Sequence, residues 1–390
     1  MRSSTLAGCA LAALMSLTAA AQAQLMIIGN DQKPKIENGN NTMQPSGHDT
    51  LSIIDMSKPA ALRIVATIPM DNTIIGPPTN LAVTPKRDIA LVANSVNGVE
   101  KDGKWDVVSD DRVFVVDLKS SPPAVIATLH AGKRTSGMAI SADGTMALIA
   151  NRDDGTISVL SISGKDVKVT DTVTVGDPKD SVSAVAITPD GKSALAVKSN
   201  VDKIAVLTID NGKVTYDKKN DLPGNNFPYN VGVVPGGKIA LIANTGNGGS
   251  SDGSADTVSV VDLETQPFHI IDHITVGDSP EGLAISPRGN LAVTVEARGS
   301  NQPKTSWFSH PNGAVSVLRI DGKKVTRVGE VAVGALPEAV AFSADGSHIY
   351  VGNFIESDIT VLSVMGDKVR DTGPRFKLPG HPASARGGPQ

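Results

Sequence analysis

Ser343-Ala344-Asp345-Gly346, then Ile349-Tyr350-Val351-Gly352-Asn353, then Ile359-Thr360-Val361-Leu362-Ser363-Val364 is a turn followed by two short apolar strands. The turn recurs upstream as Thr84-Pro85-Lys86-Arg87, Ser141-Ala142-Asp143-Gly144, Thr188-Pro189-Asp190-Gly191, Val234-Pro235-Gly236-Gly237 and Ser286-Pro287-Arg288-Gly289. Counted from the second residue of each, the steps are 57, 47, 46, 52 and 57. An apolar strand such as Leu283-Ala284-Ile285 precedes each turn, and Asp171-Thr172-Val173-Thr174-Val175 shows a fourth strand. Four strands in about 50 residues, without helical periodicity, predict a propeller blade. Six turns give six blades, and the two ends supply a seventh. Leu25 to Asn30, Thr50 to Asp55 and Leu62 to Ile68 read as second, third and fourth strands. His381-Pro382-Ala383-Ser384-Ala385 reads as the missing first, with Pro382 matching Pro280 and Pro337. The expected fold is an all-β, seven-bladed β-propeller of four antiparallel strands per blade, its ring closed by both termini so that no sheet edge is left open.

Second strands that end in Asn, third strands such as Val258-Ser259-Val260-Val261-Asp262, and Val-Gly-x-x-Pro starts to the next blade resemble the YVTN family of β-propeller repeats. Tyr350-Val351-Gly352-Asn353 is nearest to the family's name. The resemblance spans the chain after its first 23 residues and implies the propeller fold. It implies little about activity, because similar propellers include lactonases, ligand-binding proteins and subunits of redox enzymes.

Arg2, the apolar run Leu6 to Leu17 and the small residues ending Ala21-Gln22-Ala23 have the three parts of a secretory signal, with cleavage expected after Ala23. Residues 1–23 are thus read as a signal peptide, residues 24–390 as one propeller domain, and the location as periplasmic. Leu6-Ala7-Gly8-Cys9 resembles a lipidation box but stands ahead of the apolar run that should precede it. Cleavage removes the single Cys, so the mature chain has no disulfide and must rely on sheet and core. It keeps 35 Lys and Arg against 40 Asp and Glu, with no basic block to displace counterions from nucleic acid. Twelve Phe, Trp and Tyr in the chain offer few stacking platforms. The later sequence has no apolar run of about 20 residues to cross a bilayer. A monomer is expected.

Repeats allow one column to be compared across blades. Asn30, Asn94, Asn151, Asn244 and Asn353 end second strands, where Asn suits a turn. Lys198 and Glu296 break the rule; Lys198 reads as a solvated charge and Glu296 as a candidate ligand-binding residue. The connections after Asn30, Asn94, Asn244 and Glu296 are long, so one face of the disc is elaborated and is the expected binding face. The Gly-rich stretch 246–253 reads as a flexible excursion. First strands begin near the axis, and their column is Thr79, Ser136, Ser183, Tyr229, Glu281, Glu338 and Ala383. Its first six members are candidate ligand-binding residues. His381 stands two residues before Ala383, and the long loops bring His48, Arg298, Trp307, Phe308 and His310 to the same face.

Two functions from different classes follow. One is a binding or interaction module that takes a small molecule or a protein partner on the loop-rich face and at the pore mouth. The alternative is a lactonase-like hydrolase with Glu281, Glu338, His381, His310 and Arg298 as catalytic candidates. There is no Gly-x-Ser-x-Gly elbow and, after cleavage, no Cys nucleophile. No cofactor is expected, although Glu281, Glu338 and His381 have the N and O donors to hold a divalent metal. A haem role, with His381 as axial ligand, ranks third.

Overall fold

The computed structural model describes residues 24–72 and 75–387. The expected leader, with its cleavage site and Cys9, lies outside them. Seven antiparallel sheets form the blades, and His381–Arg386 is the innermost strand of the blade continued by Leu25–Asp31, Thr50–Asp55 and Arg63–Pro69. Ile28 faces Ala385 and Gly29 faces Ser384, so the end of the chain is stitched to its beginning. With this closing blade as the first, blades two to seven begin with the innermost strands Leu81–Val83, Thr135–Ile140, Val182–Ile187, Pro228–Val233, Pro280–Ile285 and Pro337–Phe342, and each touches the next around a complete ring.

Strand alternation explains why the blades stack. In Met146–Asn151, Met146, Leu148 and Ala150 pack toward the following blade, whereas Ala147 and Ile149 pack toward the preceding one. Seven such clusters fill the seven gaps between blades, including the two that flank the closing blade. The recurring turns hold the innermost hairpins. Ser141 donates to Asp143 at 2.6 Å and accepts the Met146 N–H at 3.0 Å, while Asp143 accepts the Thr145 N–H at 3.0 Å. Ser343 and Asp345 repeat these bonds, and the Gly after each Asp supplies the positive φ, 74° at Gly144 and 66° at Gly346.

Two of the long connections contain hairpins that the repeat pattern did not reveal. They are Pro34–Glu37 with Asn40–Met43, and Val96–Lys101 with Lys104–Ser109. Their turns are Asn38-Gly39 and Asp102-Gly103, with positive φ at all four residues, a pairing that specifies a two-residue hairpin turn. The first hairpin is fixed at its root by Lys33, which has no exposed surface and bonds Asp49. Its tip is tied to the blade-six loop, where the Lys304 N–H donates to the Asn38 side-chain oxygen at 3.2 Å. It therefore lies across the mouth of the central channel.

Candidate functional site

The innermost strands deliver side chains to the axis by a shared irregularity. Thr135 pairs with Asn151 but Met138 with Ile149; Pro228 pairs with Asn244 but Asn230 with Ala243; Pro280 pairs with Glu296 but Gly282 with Val295. The same slip occurs after Val182, Pro337 and Pro382. Ser136, Ser183, Tyr229, Glu281, Glu338 and Ala383 stand in these bulges, which re-aim a side chain out of the blade's alternation. Two residues earlier, Arg134, Ser181, Phe227, Ser279 and Leu336 share a left-handed φ between 45° and 56°. That bend turns each chain inward toward the mouth.

A cavity of about 400 Å³ occupies the mouth. Tyr229, Glu281, Glu338 and Ala383 line it from the bulges, Arg134, Phe227 and Leu336 from the left-handed positions, and Arg152 and Phe354 from the residue after the strand-ending Asn. The hairpin contributes Pro34, Ile36 and Asn41, and the Gly-rich loop Gly248, Gly249 and Ser250; Ile75, Gly76 and Asn301 complete the wall. The volume lies in the range of small-molecule sites.

Its charges are separated by blade. Arg152 is 9% exposed, donates to the Ser181 hydroxyl at 3.1 Å and the Ile75 carbonyl, and bonds the Tyr229 phenol. Burial lowers its pKa, and among the described residues no carboxylate forms an ion pair with it. Arg134 donates to the same Ile75 carbonyl at 3.2 Å, and its nearest carboxylate is Asp153, at 3.6 Å. Across the cavity, Glu281 and Glu338 hydrogen-bond each other. Each retains some surface toward the cavity, yet protein rings both carboxyls and withholds bulk water. Burial pushes Glu281 up to about 7, against the hydrogen bond from Glu338 and the Arg152 charge. Glu338 is raised further by burial and by the Glu281 charge, with Asp31 adding to it. Both carboxyls are therefore raised, and up to about neutral pH the pair binds its protons as one unit. Burial and the Glu281 charge raise the Tyr229 phenol as well, so it stays neutral.

Other sequence candidates lie elsewhere. Thr79, Ser136 and Ser183 are buried beside the cavity rather than in its wall; the Ser183 hydroxyl meets Ser199 at 2.7 Å and the Tyr229 carbonyl at 3.1 Å. The His381 ring stacks on Phe354 at 4.7 Å, with Nδ1 2.6 Å from the Phe354 carbonyl oxygen and 3.0 Å from the Ser357 hydroxyl. It braces a wall residue. Arg298 points outward to Glu330 at 2.9 Å, and His48 and His310 are exposed. Trp307 is 82% exposed and edges against Phe308 at 5.5 Å on the loop-rich face. Among the described residues, no three His, Cys, Asp or Glu side chains are grouped so that they could hold a metal ion.

The two departures from the Asn column are both buried, which corrects the reading of Lys198 as a solvated charge. Glu296 is fully buried and its carboxylate accepts the Gly277 N–H at 3.0 Å, as Asn151 accepts Gly132 at 3.1 Å and Asn353 accepts Gly334 at 2.8 Å. Burial raises its pKa. Lys198 is 3% exposed rather than solvated, and its ammonium donates to Asp221 at 2.7 Å and to the Tyr216 hydroxyl at 3.1 Å. Those partners belong to the one blade whose outer strand is broken into Lys213–Thr215 and Leu222–Pro223. The sequence reading missed Arg134 and Arg152, although the signal existed. Residues after the strand-ending position run Asp31, Ser95, Arg152, Ser199, Thr245, Ala297 and Phe354, so Arg152 and Phe354 interrupt a mostly small column beside the one that was read.

No protein-family model matches the sequence, and no curated protein matches it either, so the YVTN resemblance rests on the residues quoted for it. Solved structures do resemble the fold. A periplasmic gluconolactonase from Pseudomonas aeruginosa aligns at 17% identity and TM-score 0.67, over 93% of this chain and 98% of that one. Hydrazine synthase from Kuenenia stuttgartiensis aligns at 17% and 0.59, over 81% and 90%. Dihydro-heme d1 dehydrogenase aligns at 16% and 0.54, over 93% and 75%. Three different chemistries on one architecture establish this chain as a seven-bladed β-propeller and leave its function to the residues of its own cavity.

Proposed function

We propose that this protein is an exported binding protein that takes a small polar molecule into the pore-mouth cavity. The carrying observation is the repeated bulge, which brings one side chain from each of several blades into a single enclosed space under the loop-rich face. Phe227, Leu336 and Phe354 supply apolar wall, while Arg134, Arg152, Tyr229, Glu281 and Glu338 supply the few polar groups that fix a ligand's orientation. Thermal-shift screening of the mature protein against sugars, sugar acids, lactones and amino acids, followed by titration calorimetry, tests the reading. A hit that binds the wild type and is weakened at least tenfold by Arg152→Met or Glu281→Gln supports it; absence of any hit across the four classes counts against it. Read as an export signal, the leader implies a periplasmic location, and N-terminal sequencing of exported protein should then begin at Gln24.

One observation favours hydrolysis of a lactone as a second reading. Glu281, held near neutrality, is suited to draw a proton from water, while Arg152 and Tyr229 face the same space and can steady an oxyanion. Turnover would rise with pH through about 7 as Glu281 ionises, and Glu281→Gln would cost on the order of a hundredfold or more. A lactone panel followed by acid release decides between binding and turnover.

A further inference from the structure

Arg152 carries a positive charge and the Glu281–Glu338 pair a negative charge held off by bound protons; both face one cavity, and among the described residues neither forms an ion pair. A buried guanidinium without a carboxylate and a carboxyl pair without a cation are each costly, and both costs fall if a bound molecule carries the complementary charges. We infer that the cavity takes a small zwitterion, an α-amino acid with an apolar side chain, its carboxylate toward Arg152 and Arg134 and its ammonium toward Glu281 and Glu338. This names a ligand class for the binding function proposed above and rests on it.

Two further atoms agree with the polarity. Arg134 Nε is a buried donor with no acceptor, on the basic side; the Asn301 side-chain oxygen is a buried acceptor with no donor, and its residue lines the same cavity. Phe227, Leu336 and Phe354 give an apolar side chain somewhere to lie. The groups facing the carboxyl pair are Arg152 from blade three, Tyr229 from blade five and Asp31 from the closing blade. His381 is turned to Ser357 and the Phe354 carbonyl. An ammonium between two carboxyls that bind their protons as one unit displaces a proton, so binding releases a proton to the buffer.

The test is calorimetric titration of the mature protein with the common L-amino acids, each beside its 2-hydroxy acid and its decarboxylated amine. At least one apolar amino acid should bind ten times more tightly than either relative. At pH 6 its heat should depend on the ionisation enthalpy of the buffer in the direction of proton release. Glu281→Gln with Glu338→Gln should abolish the preference for the amino acid over the hydroxy acid and remove the buffer dependence. Hydroxy acids, sugars or lactones that bind as tightly as any amino acid overturn the zwitterion and leave the binding function standing. Failure of every amino acid overturns the zwitterion as well, and failure of every class in the wider screen removes the binding function with it.

Discussion

Glu296 shows how far a single residue can be read. Its charge and its break from the Asn column are visible in the sequence, but the Gly277 N–H that it accepts is 19 residues away and is supplied by the fold. Glu296→Asn should therefore hold the melting temperature within a few degrees and leave ligand binding unchanged. Glu296→Leu should cost about 1–3 kcal/mol, because it strands that buried donor; equal stability of the two variants in a urea titration would contradict the assignment. Lys198 was misread for the same reason, since Asp221 and Tyr216 lie in an irregular outer strand with no counterpart in other blades. Glu281 gives a prediction with a definite sign. Its carboxyl is raised in the folded state to about 7, so the folded protein binds more protons than the unfolded chain between the ordinary carboxylate range and pH 7. The stability it contributes is full at low pH and is lost as pH rises through that window. Melting temperature measured from pH 5 to 8 should fall more steeply for the wild type than for Glu281→Gln; parallel curves would place the titration elsewhere.

At the scale of elements, blades were legible because a strand's period of two and a four-residue turn, Ser-Ala-Asp-Gly at 141–144 and 343–346 and varied elsewhere, are local patterns repeated in one chain. The two hairpins on the loop-rich face were not found, although Asn38-Gly39 and Asp102-Gly103 announce them, because their polar strands lack the apolar alternation of the blades. The bulges were invisible for a deeper reason: a bulge is a mismatch between two strands and no single strand encodes it. The hairpin over the mouth can be removed cleanly, since Pro34 faces Met43 across its base. Replacing residues 35–42 with Asn-Gly keeps a two-residue turn and the Lys33 anchor. The variant should fold with a melting temperature near that of the wild type, yet release ligand at least several times faster, because Ile36 and Asn41 no longer cover the cavity. Unchanged dissociation in stopped flow would show that the hairpin is only decoration.

The whole molecule depends on closure. Clusters on both sides of the first blade use Met26, Ile28 and Ala385 toward blade seven, and Ile27, Leu51 and Ile53 toward blade two. Deleting residues 377–390 removes that blade's innermost strand and uncovers the edge of Leu25–Asp31, the strand it pairs with. The shortened protein should melt well below the wild type or aggregate, and an unchanged melt would contradict the ring. Closure also shapes the cavity, because its wall is drawn from blades three, five, six and seven and from the closing blade itself. Glu281 and Glu338 meet only because 57 residues of chain return to the axis one blade later. This meeting point is the proposed binding site. Its most direct test is a calorimetric titration of the best screening hit into three proteins: the wild type, the Glu281→Gln, Glu338→Gln double variant, and a control with Asp143→Asn and Asp190→Asn in turns on the opposite face. The control should match the wild type and the double variant should lose at least tenfold in affinity, whereas a double variant that binds as tightly as the wild type would make the acidic arc a hydrated rim and remove the proposed site.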